Sequence, residues 1–209
     1  MESKKKSTAY TDEEIVNRLI NQHDTFLFGV LYDRYGKKVF QKCLSFVKDQ
    51  DVAADLTQDV FVKIYLNLNK FQFRSKFSTW VYSVAYNICI DHLRLSKRKN
   101  LFSQLDCTID YIHYTTEEVS DEEVLSVGLD ELKVLMDQLR PEDKMLLLLK
   151  YQDKTPVKEI QELLGINESA VKMRLKRAKQ KLIALHSQYQ KGEAKNQSAC
   201  KKVLFKGIN

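Results

Sequence analysis

Glycine and proline are scarce in this chain of 209 residues, which has only six glycines and two prolines. Sandwiches and barrels need many tight turns and bulges, which depend on these two residues, so neither fold is favoured. Helix-forming residues dominate instead, and the sequence predicts an all-α protein. The length corresponds to one large domain or two small ones. No Gly-rich phosphate-binding loop is visible.

Long apolar runs are also lacking. The chain has no run of 18 apolar residues, so we predict no membrane insertion. The first ten residues, MESKKKSTAY, carry cations but no apolar segment. They do not have the pattern of a secretory signal. We therefore expect a cytoplasmic protein.

Residues that would mark an enzyme or a metal site are few and scattered. Cys43, Cys89, Cys107 and Cys200 have neither CxxC nor metal-ligand spacing. The first two lie in apolar helical stretches and are predicted to be core residues, while a redox role stays open. The four histidines stand without a nucleophile or carboxylate arrangement. We predict no catalytic site, no metal and no cofactor.

The most informative segment present is 155–182, TPVKEIQELLGINESAVKMRLKRAKQKL. It has the pattern of two amphipathic helices joined by a tight turn. Thr155 and Pro156 predict an N-cap followed by proline at the first helical position. Gly165 stands where a left-handed residue is needed, and Asn167 can cap the second helix. The segment predicts a helix-turn-helix, whose second helix enters the major groove of DNA.

The second helix of this segment has two distinct faces at about 100° per residue. Its apolar face is predicted to pack on the first helix, and the outer face can reach base edges and phosphates. A solvated basic face on an ordinary helical hairpin is the alternative. The candidate DNA contacts are Ser169, Lys172, Met173, Lys176 and Arg177.

Helical patterns also occur in the N-terminal half. Thr11 and Glu14 form a predicted capping box, which opens a first helix with apolar positions through Tyr35. Further helices are predicted over about 37–48, 51–67 and 78–97. Residues 101–132 contain no lysine or arginine and are acidic, which is typical of a linker. The predicted segments are a disordered N-terminus (1–9), a helical domain (10–97), a flexible acidic linker (98–123), a second helical domain (124–189) and a disordered tail (190–209).

A second candidate DNA surface surrounds the helix that begins near Ser78. The loop before it mixes aromatics with cations, and the helix carries a narrow polar stripe. Aromatics stack on unpaired bases while cations hold the phosphate backbone. Alternatively, the aromatics belong to the core and the stripe bonds only to itself. The candidates are Phe71, Arg74, Lys76, Trp80, Ser83, Asn87, Asp91, Arg94 and Arg98, with Phe73 and Phe77 in the same loop.

The helix predicted over 51–67 presents an acidic and polar patch. Asp55, Gln58 and Asp59 share one helical face because they are three and four residues apart. Such a patch does not favour DNA, but it suits a basic protein partner. A merely solvated face is the alternative.

Three blocks of the chain together resemble a known family. They are DLTQDVFVKIYLNLNKF, FSTWVYSVAYNICIDHLR and KEIQELLGINESAVKMRLKRAKQKL. In this order and spacing they resemble the bacterial sigma-70 family, in its extracytoplasmic-function (ECF) group, over about 10–97 and 124–185. The resemblance implies a dissociable initiation factor that directs core RNA polymerase to promoters, melts the −10 element and is controlled by an anti-sigma factor.

The resemblance also implies roles for individual residues. Asp55, Gln58 and Asp59 match the site that docks on the clamp helices of the polymerase β′ subunit, and the β subunit is a further expected contact. Asn87 matches the position of a base pocket for single-stranded −10 DNA, and Phe71 a loop aromatic. The positions that read duplex DNA at the −35 element are matched by Lys172, Met173, Lys176 and Arg177.

Two departures from the family pattern leave the promoter sequence open. Met173 stands where many ECF members have arginine or serine. The loop Gln72-Phe73-Arg74 replaces the commoner Arg-Gly-Asp or Arg-Gly-Glu. Two other functions also stay open: a stand-alone DNA-binding regulator, and an interaction module that sequesters a regulator.

Overall fold

The computed structural model describes residues 10–22, 25–101 and 119–205. Its regular elements are all helical, and the described residues include no strand, in agreement with the predicted all-α class. The helices are α1 (Asp12–Gln22), α2 (Phe26–Val47), α3 (Gln50–Asn67), α4 (Phe77–Leu101), α5 (Asp121–Ser126), α6 (Leu129–Gln138), α7 (Pro141–Leu147), α8 (Val157–Leu164) and α9 (Glu168–Phe205). A short 3-10 turn follows α3, and a π-helical turn, Leu148–Gln152, follows α7.

The chain forms two compact units. The first comprises the described residues of 1–108 and 149–168, and the second those of 109–148 and 169–209. The predicted N-terminal segment (1–9) and most of the predicted acidic linker lie outside the described residues. No described helix is long and apolar enough to cross a membrane.

The core of the first unit is built from α2, α3 and α4. Leu56, Val60 and Ile64, which recur every four residues along α3, are all buried. This spacing places them on one face of the helix, as the sequence predicts. Cys43 on α2 and Cys89 on α4 are also fully buried, which confirms their assignment to the core.

Helix α2 differs from its predicted bounds. The sequence predicts a first helix with apolar positions through Tyr35 and a second from about residue 37, whereas α1 ends at Gln22 and α2 runs unbroken from Phe26 to Val47. The prediction of a break near residue 36 was wrong. One apolar stripe continues through that point, so packing against the core holds the whole segment in a single helix. Its buried residues include Leu31, Tyr35, Val39 and Cys43.

Local hydrogen bonds explain where the first helices begin. The Thr11 backbone N–H donates to Glu14 Oε2 at 2.8 Å, and the Glu14 N–H donates to Thr11 Oγ1 at 3.2 Å. This is the predicted capping box. At the start of α3, Asp49 Oδ1 accepts a hydrogen bond of 3.0 Å from the Val52 N–H.

We expect Asp49→Ala to lower the free energy of unfolding by about 1 kcal/mol, because it removes one N-cap acceptor. Thermal or urea unfolding followed by circular dichroism would measure this change. Asp51→Ala is the matched control, since Asp51 lies inside the first turn of α3 and does not cap it. Equal losses in both variants would contradict the assignment of Asp49 as the cap.

The second unit contains α5, α6, α7 and most of α9. Pro141 occupies the start of α7, where its missing backbone N–H costs no helical hydrogen bond. The predicted apolar face of α9 is buried at Val171, Leu175, Ala178 and Leu182. Helix α9 continues to Phe205 and so includes most of the predicted tail, whose Lys, Gln, Ala and Glu residues favour helix.

The beginning of α8 also departs from prediction. Pro156, and not Thr155, stands at the N-cap, and the helix begins at Val157. Thr155 is buried, and its hydroxyl has no hydrogen-bond partner among the described residues. The Thr155 N–H instead donates to the Leu149 carbonyl at 2.9 Å. This bond holds Thr155 against the preceding π-helical turn, so its side chain is not available to cap α8.

Candidate polymerase and nucleic-acid interfaces

The predicted docking residues form an exposed patch on α3. Asp55, Gln58 and Asp59 all point to solvent, because the opposite face of this helix is buried in the core. Within the part of the chain that the structure describes, neither carboxylate has a salt bridge. A cavity of about 390 Å³ adjoins Gln58 and is lined by Tyr32 and Phe40 of α2. The patch therefore offers negative charge beside a recess that is lined by both aromatic and charged side chains, including Asp33 and Lys37, which suits a basic protein surface.

The loop before α4 contains an aromatic cluster. Phe71 is only 5% exposed, and its ring centroid lies 5.5 Å from that of Phe77 and 5.3 Å from that of Trp80. In this conformation the Phe71 ring supports the loop from within and is not presented for stacking. Its predicted role as the aromatic that meets DNA stays a prediction.

Phe73 is the exposed aromatic of this loop. Its side chain is 47% exposed, and its ring centroid lies 4.8 Å from that of Phe71. Its φ is 55°, in the left-handed region that a bulky residue rarely occupies. Phe73 is not one of the predicted contact residues, although it belongs to the same loop. Its position could have indicated that it is unusual. Phe73 stands where glycine is common in the family, and glycine is the residue that most readily adopts a positive φ.

The polar stripe of α4 is only partly exposed. Asn87, Asp91 and Arg94 reach solvent, and Arg94 Nη1 lies 3.6 Å from Asp91 Oδ1. Asn87 has no hydrogen-bond partner among the described residues. Ser83 is buried, and its hydroxyl donates to the Trp80 carbonyl at 2.7 Å. The exposed part of the stripe therefore begins at Asn87 and continues to Arg98, while Trp80 is half-buried.

One cation and one backbone N–H of the loop face carboxylates of α8, which belongs to the same unit. Arg74 Nη1 lies 3.3 Å from Glu162 Oε2, and the Lys76 backbone N–H donates to Glu159 Oε2 at 3.4 Å. Both Arg74 and Lys76 are exposed, so these contacts are weak individually. They nevertheless show that acidic side chains occupy the region predicted to meet DNA.

The first unit also contains a buried charged cluster, formed by side chains of α2, α4 and the segment before α8. Lys42 Nζ of α2 is 2.6 Å from Asp153 Oδ1 and donates to the Tyr86 hydroxyl at 2.8 Å. The Tyr86 hydroxyl in turn donates to Asp153 Oδ2 at 2.9 Å. Burial lowers the pKa of Lys42, and hydrogen bonding to Asp153 opposes that change. Burial together with the Asp153 charge raises the pKa of Tyr86.

The predicted recognition helix is the N-terminal part of α9. The turn before it contains Gly165 at φ 61°, and the Gly165 N–H donates to the Gln161 carbonyl, as a helix C-cap of this kind requires. Helix α9 then begins at Glu168, directly after Asn167. The predicted contact residues lie on its outer side: Ser169, Lys172, Met173 and Arg177 are exposed and Lys176 is half-buried.

Comparison with known proteins identifies both halves of this arrangement. A family model described as Sigma-70 region 2 matches residues 31–99, and one described as Sigma-70, region 4 matches residues 129–182. The first match covers the predicted docking patch, the aromatic loop and α4 as far as residue 99. The second covers α8 and the recognition helix.

Individual relatives agree with these matches. The chain is 28% identical over 171 residues to the ECF RNA polymerase sigma factor SigW of Bacillus subtilis, covering 78% of this chain and 90% of that protein. It is 29% identical over 181 residues to the ECF RNA polymerase sigma-E factor of Escherichia coli, covering 83% and 93% respectively.

Solved structures show the same fold. CnrH, solved in complex with the cytosolic domain of CnrY, superposes with a TM-score of 0.57 at 21% identity, covering 84% of this chain and 97% of that one. The sigma factor RpoE of Bartonella quintana, solved with the anti-sigma factor NepR, gives a TM-score of 0.54 at 18% identity, covering 77% and 96%. From these matches we conclude that the chain belongs to the sigma-70 family, in its ECF group, and is a transcription initiation factor rather than an enzyme.

Proposed function

We propose that this chain binds core RNA polymerase through α3 and brings it to promoters as a dissociable subunit. The observation that carries the proposal is the exposed patch of Asp55, Gln58 and Asp59, whose carboxylates have no salt bridge to any described residue and which lies within the match to sigma region 2. Its negative charge favours a basic surface such as the clamp helices of β′. The β subunit is a second polymerase contact in this proposal, and the chain acts in the cytoplasm.

The −10 element is assigned to the aromatic loop and α4. Phe73 offers an exposed ring for an unpaired base, Asn87 offers an amide without a partner in the described residues, and Arg94 and Arg98 offer charge to the backbone. Such groups bind a flipped base better than a paired one, because stacking and base-edge hydrogen bonds both require an unpaired base. Strand separation is therefore favoured wherever the loop reaches the DNA.

The −35 element is assigned to the exposed side of α9. Residues near the beginning of a recognition helix read base edges, and cations further along hold phosphates. Lys172, Met173, Lys176 and Arg177 are placed suitably for these contacts. Polymerase would hold both DNA-binding surfaces at once, and this bivalency converts two weak contacts into one strong one.

Control by an anti-sigma factor is part of the proposal. Its support is the likeness to RpoE, which was solved with the anti-sigma factor NepR. An inhibitor that covers the α3 patch would prevent docking on polymerase. Affinity capture of the tagged protein from its host tests this, and the absence of a stoichiometric inhibitor among captured proteins would contradict it.

In vitro transcription tests the main proposal. Sigma-free bacterial core polymerase, a pool of promoter fragments from the host and this protein should together give new transcript start sites, which also reveal the −10 and −35 sequences. Core polymerase alone is the control. If no new transcripts form and the protein alone binds duplex DNA tightly, the chain is a stand-alone regulator.

A further inference from the structure

The starting observation is the first helix, α1, which precedes the match to sigma region 2 at residues 31–99. Ile15, Val16 and Leu19 on one side of α1 are buried, so the helix packs onto the core of the first unit. Helix α1 also contacts the 3-10 turn Leu68–Lys70, and the aromatic loop begins directly after that turn. The proposed function gives α1 no role, although it lies against the start of the loop that is assigned to the −10 element.

A polar link joins the beginning of α1 to α2. The two oxygens of the Asp12 carboxylate have different partners: Oδ1 lies 2.6 Å from Arg34 Nη1, and Oδ2 accepts a hydrogen bond from the Tyr35 hydroxyl. Arg34 Nη2 also donates to the Tyr10 carbonyl at 2.8 Å. Hydrogen bonds in which one partner is charged are stronger than neutral ones. The link therefore fixes both the beginning of α1 and the position of the Tyr35 ring.

The Tyr35 ring continues this link toward the aromatic loop. It is buried, and its centroid lies 5.9 Å from that of Phe77 in an edge-to-face arrangement. Phe77 is the first residue of α4 and packs in turn on Phe71 and Trp80. Burial raises the pKa of Tyr35, and the hydrogen bond to Asp12 raises it further. The hydroxyl therefore keeps its proton and remains a donor to Asp12.

These contacts hold the aromatic loop at both of its ends. Helix α1 supports the turn before Phe71, and the pair of Asp12 and Tyr35 supports Phe77 at the other end. Between these ends, residues 72–74 are exposed. An exposed loop with fixed ends loses less conformational freedom when it binds, so preorganisation strengthens binding without adding a contact.

We infer that Asp12 and Tyr35 are positioning residues for the −10 surface. Their hydrogen bond keeps the base of the aromatic loop in place, so that the exposed Phe73 ring meets an unpaired base without rearrangement of the loop. The inference rests on the proposed role of this loop in promoter melting. Asp12 and Tyr35 lie outside the docking patch of α3. Loss of their bond should therefore slow strand separation and leave the affinity for core polymerase unchanged.

Tyr35→Phe tests the link because it removes the hydroxyl and keeps the ring. In holoenzyme reconstituted with the full-length variant, the rate of open-complex formation should fall about tenfold, since a small displacement of a positioned group is enough to slow a step that depends on it. Permanganate reactivity of unpaired thymines, followed over time, measures this rate. Titration of core polymerase with labelled protein should give the affinity of the wild type.

Asp12→Asn tests the link from its other side. An amide has one acceptor oxygen and cannot serve Arg34 and Tyr35 as two carboxylate oxygens do, so melting should slow by roughly threefold to tenfold. Glu13→Gln is the matched control, because it removes the same charge at the next position of α1 and Glu13 is exposed. The control should melt promoters at the rate of the wild type. Equal slowing by both variants would overturn the inference, because the effect would then belong to the charge of α1.

A double-mutant cycle separates positioning from general support of the fold. If Tyr35 acts through the Phe73 ring, Tyr35→Phe should slow melting by less than about twofold in a protein that already carries Phe73→Gly, because residues that act through one another are not additive. A loss of equal size with and without Phe73→Gly would show a merely structural role and would overturn the inference. Circular dichroism and urea unfolding establish that each variant is folded at the temperature of the assay.

The possible outcomes separate this inference from the proposed function. Wild-type melting by a folded Tyr35→Phe variant would overturn the inference, as would a parallel loss of polymerase affinity, while transcription by the wild type would still uphold the proposed function. If the wild type itself directs no transcription, the proposed function fails and the inference fails with it.

Discussion

Asp59→Arg should abolish promoter-directed transcription while the protein keeps its fold. Asp59 is exposed on α3, and no salt bridge to it occurs in the described residues, so reversing its charge removes no internal contact. Placing a cation against a basic partner surface costs several kcal/mol, which corresponds to a loss of affinity for core polymerase of about 100-fold or more. Titration of core polymerase with labelled protein measures the affinity, and transcription measures the consequence.

Asp130→Arg is the control for this prediction. Asp130 is exposed on α6 and its only described ion pair, with Lys133, is 3.5 Å long and fully at the surface. The two substitutions change the net charge equally, so a general electrostatic effect would appear in both. If the Asp59→Arg variant bound core polymerase with the affinity of the wild type, α3 would be excluded as the docking site.

Phe73→Gly should impair promoter melting with little change in stability. Glycine relieves the left-handed strain at φ 55°, which amounts to about 1–2 kcal/mol for a non-glycine residue. The lost contact with Phe71 offsets this by about 0.5–1.5 kcal/mol. Stacking on a base is worth about 1–3 kcal/mol, so open-complex formation should fall roughly 5- to 150-fold. The extent of open-complex formation is measured by the permanganate reactivity of unpaired thymines in the −10 element.

Phe73→Tyr provides the matched comparison, because it keeps an aromatic ring at the same strained position. It should melt promoters nearly as well as the wild type. If glycine and tyrosine variants open promoters equally, the exposed ring does not contact a base, and the unusual φ would be a feature of the loop alone. The free energy of unfolding of each variant, measured in urea, separates a fold defect from a binding defect.

Local chemistry made much of the fold predictable. The capping box at Thr11 and Glu14, the left-handed turn at Gly165 and the proline at the start of α7 each depend on residues within four positions of one another. The four-residue recurrence along α3 determines which side is buried, and therefore which side exposes Asp55 and Asp59. Such features follow from helix geometry and need no knowledge of the rest of the chain.

The aromatic loop shows where such reasoning stops. Both Phe71 and Phe73 precede a helix and neighbour cations, and their types alone do not tell which ring is covered. Packing against Phe77 and Trp80 buries Phe71 and leaves Phe73 at the surface. Ser83 shares the predicted stripe with Asn87, yet Ser83 is buried and Asn87 is exposed. A helical wheel does not distinguish them, because it shows the direction of a side chain and not what covers it.

The amino-acid sequence alone was enough to predict the helical class, the helix-turn-helix, the acidic patch and the family. Each depends on residues a few positions apart, or on three sequence blocks whose order and spacing resemble the family. Only the tertiary structure decided which predicted contacts are accessible. It also brought Lys42 to Asp153, which is 111 positions away in the chain. Periodicity along the sequence carries no information about that pair, because the contact depends on how separate segments of the chain pack together. Burial then requires the pairing, since a buried charge without a partner is costly.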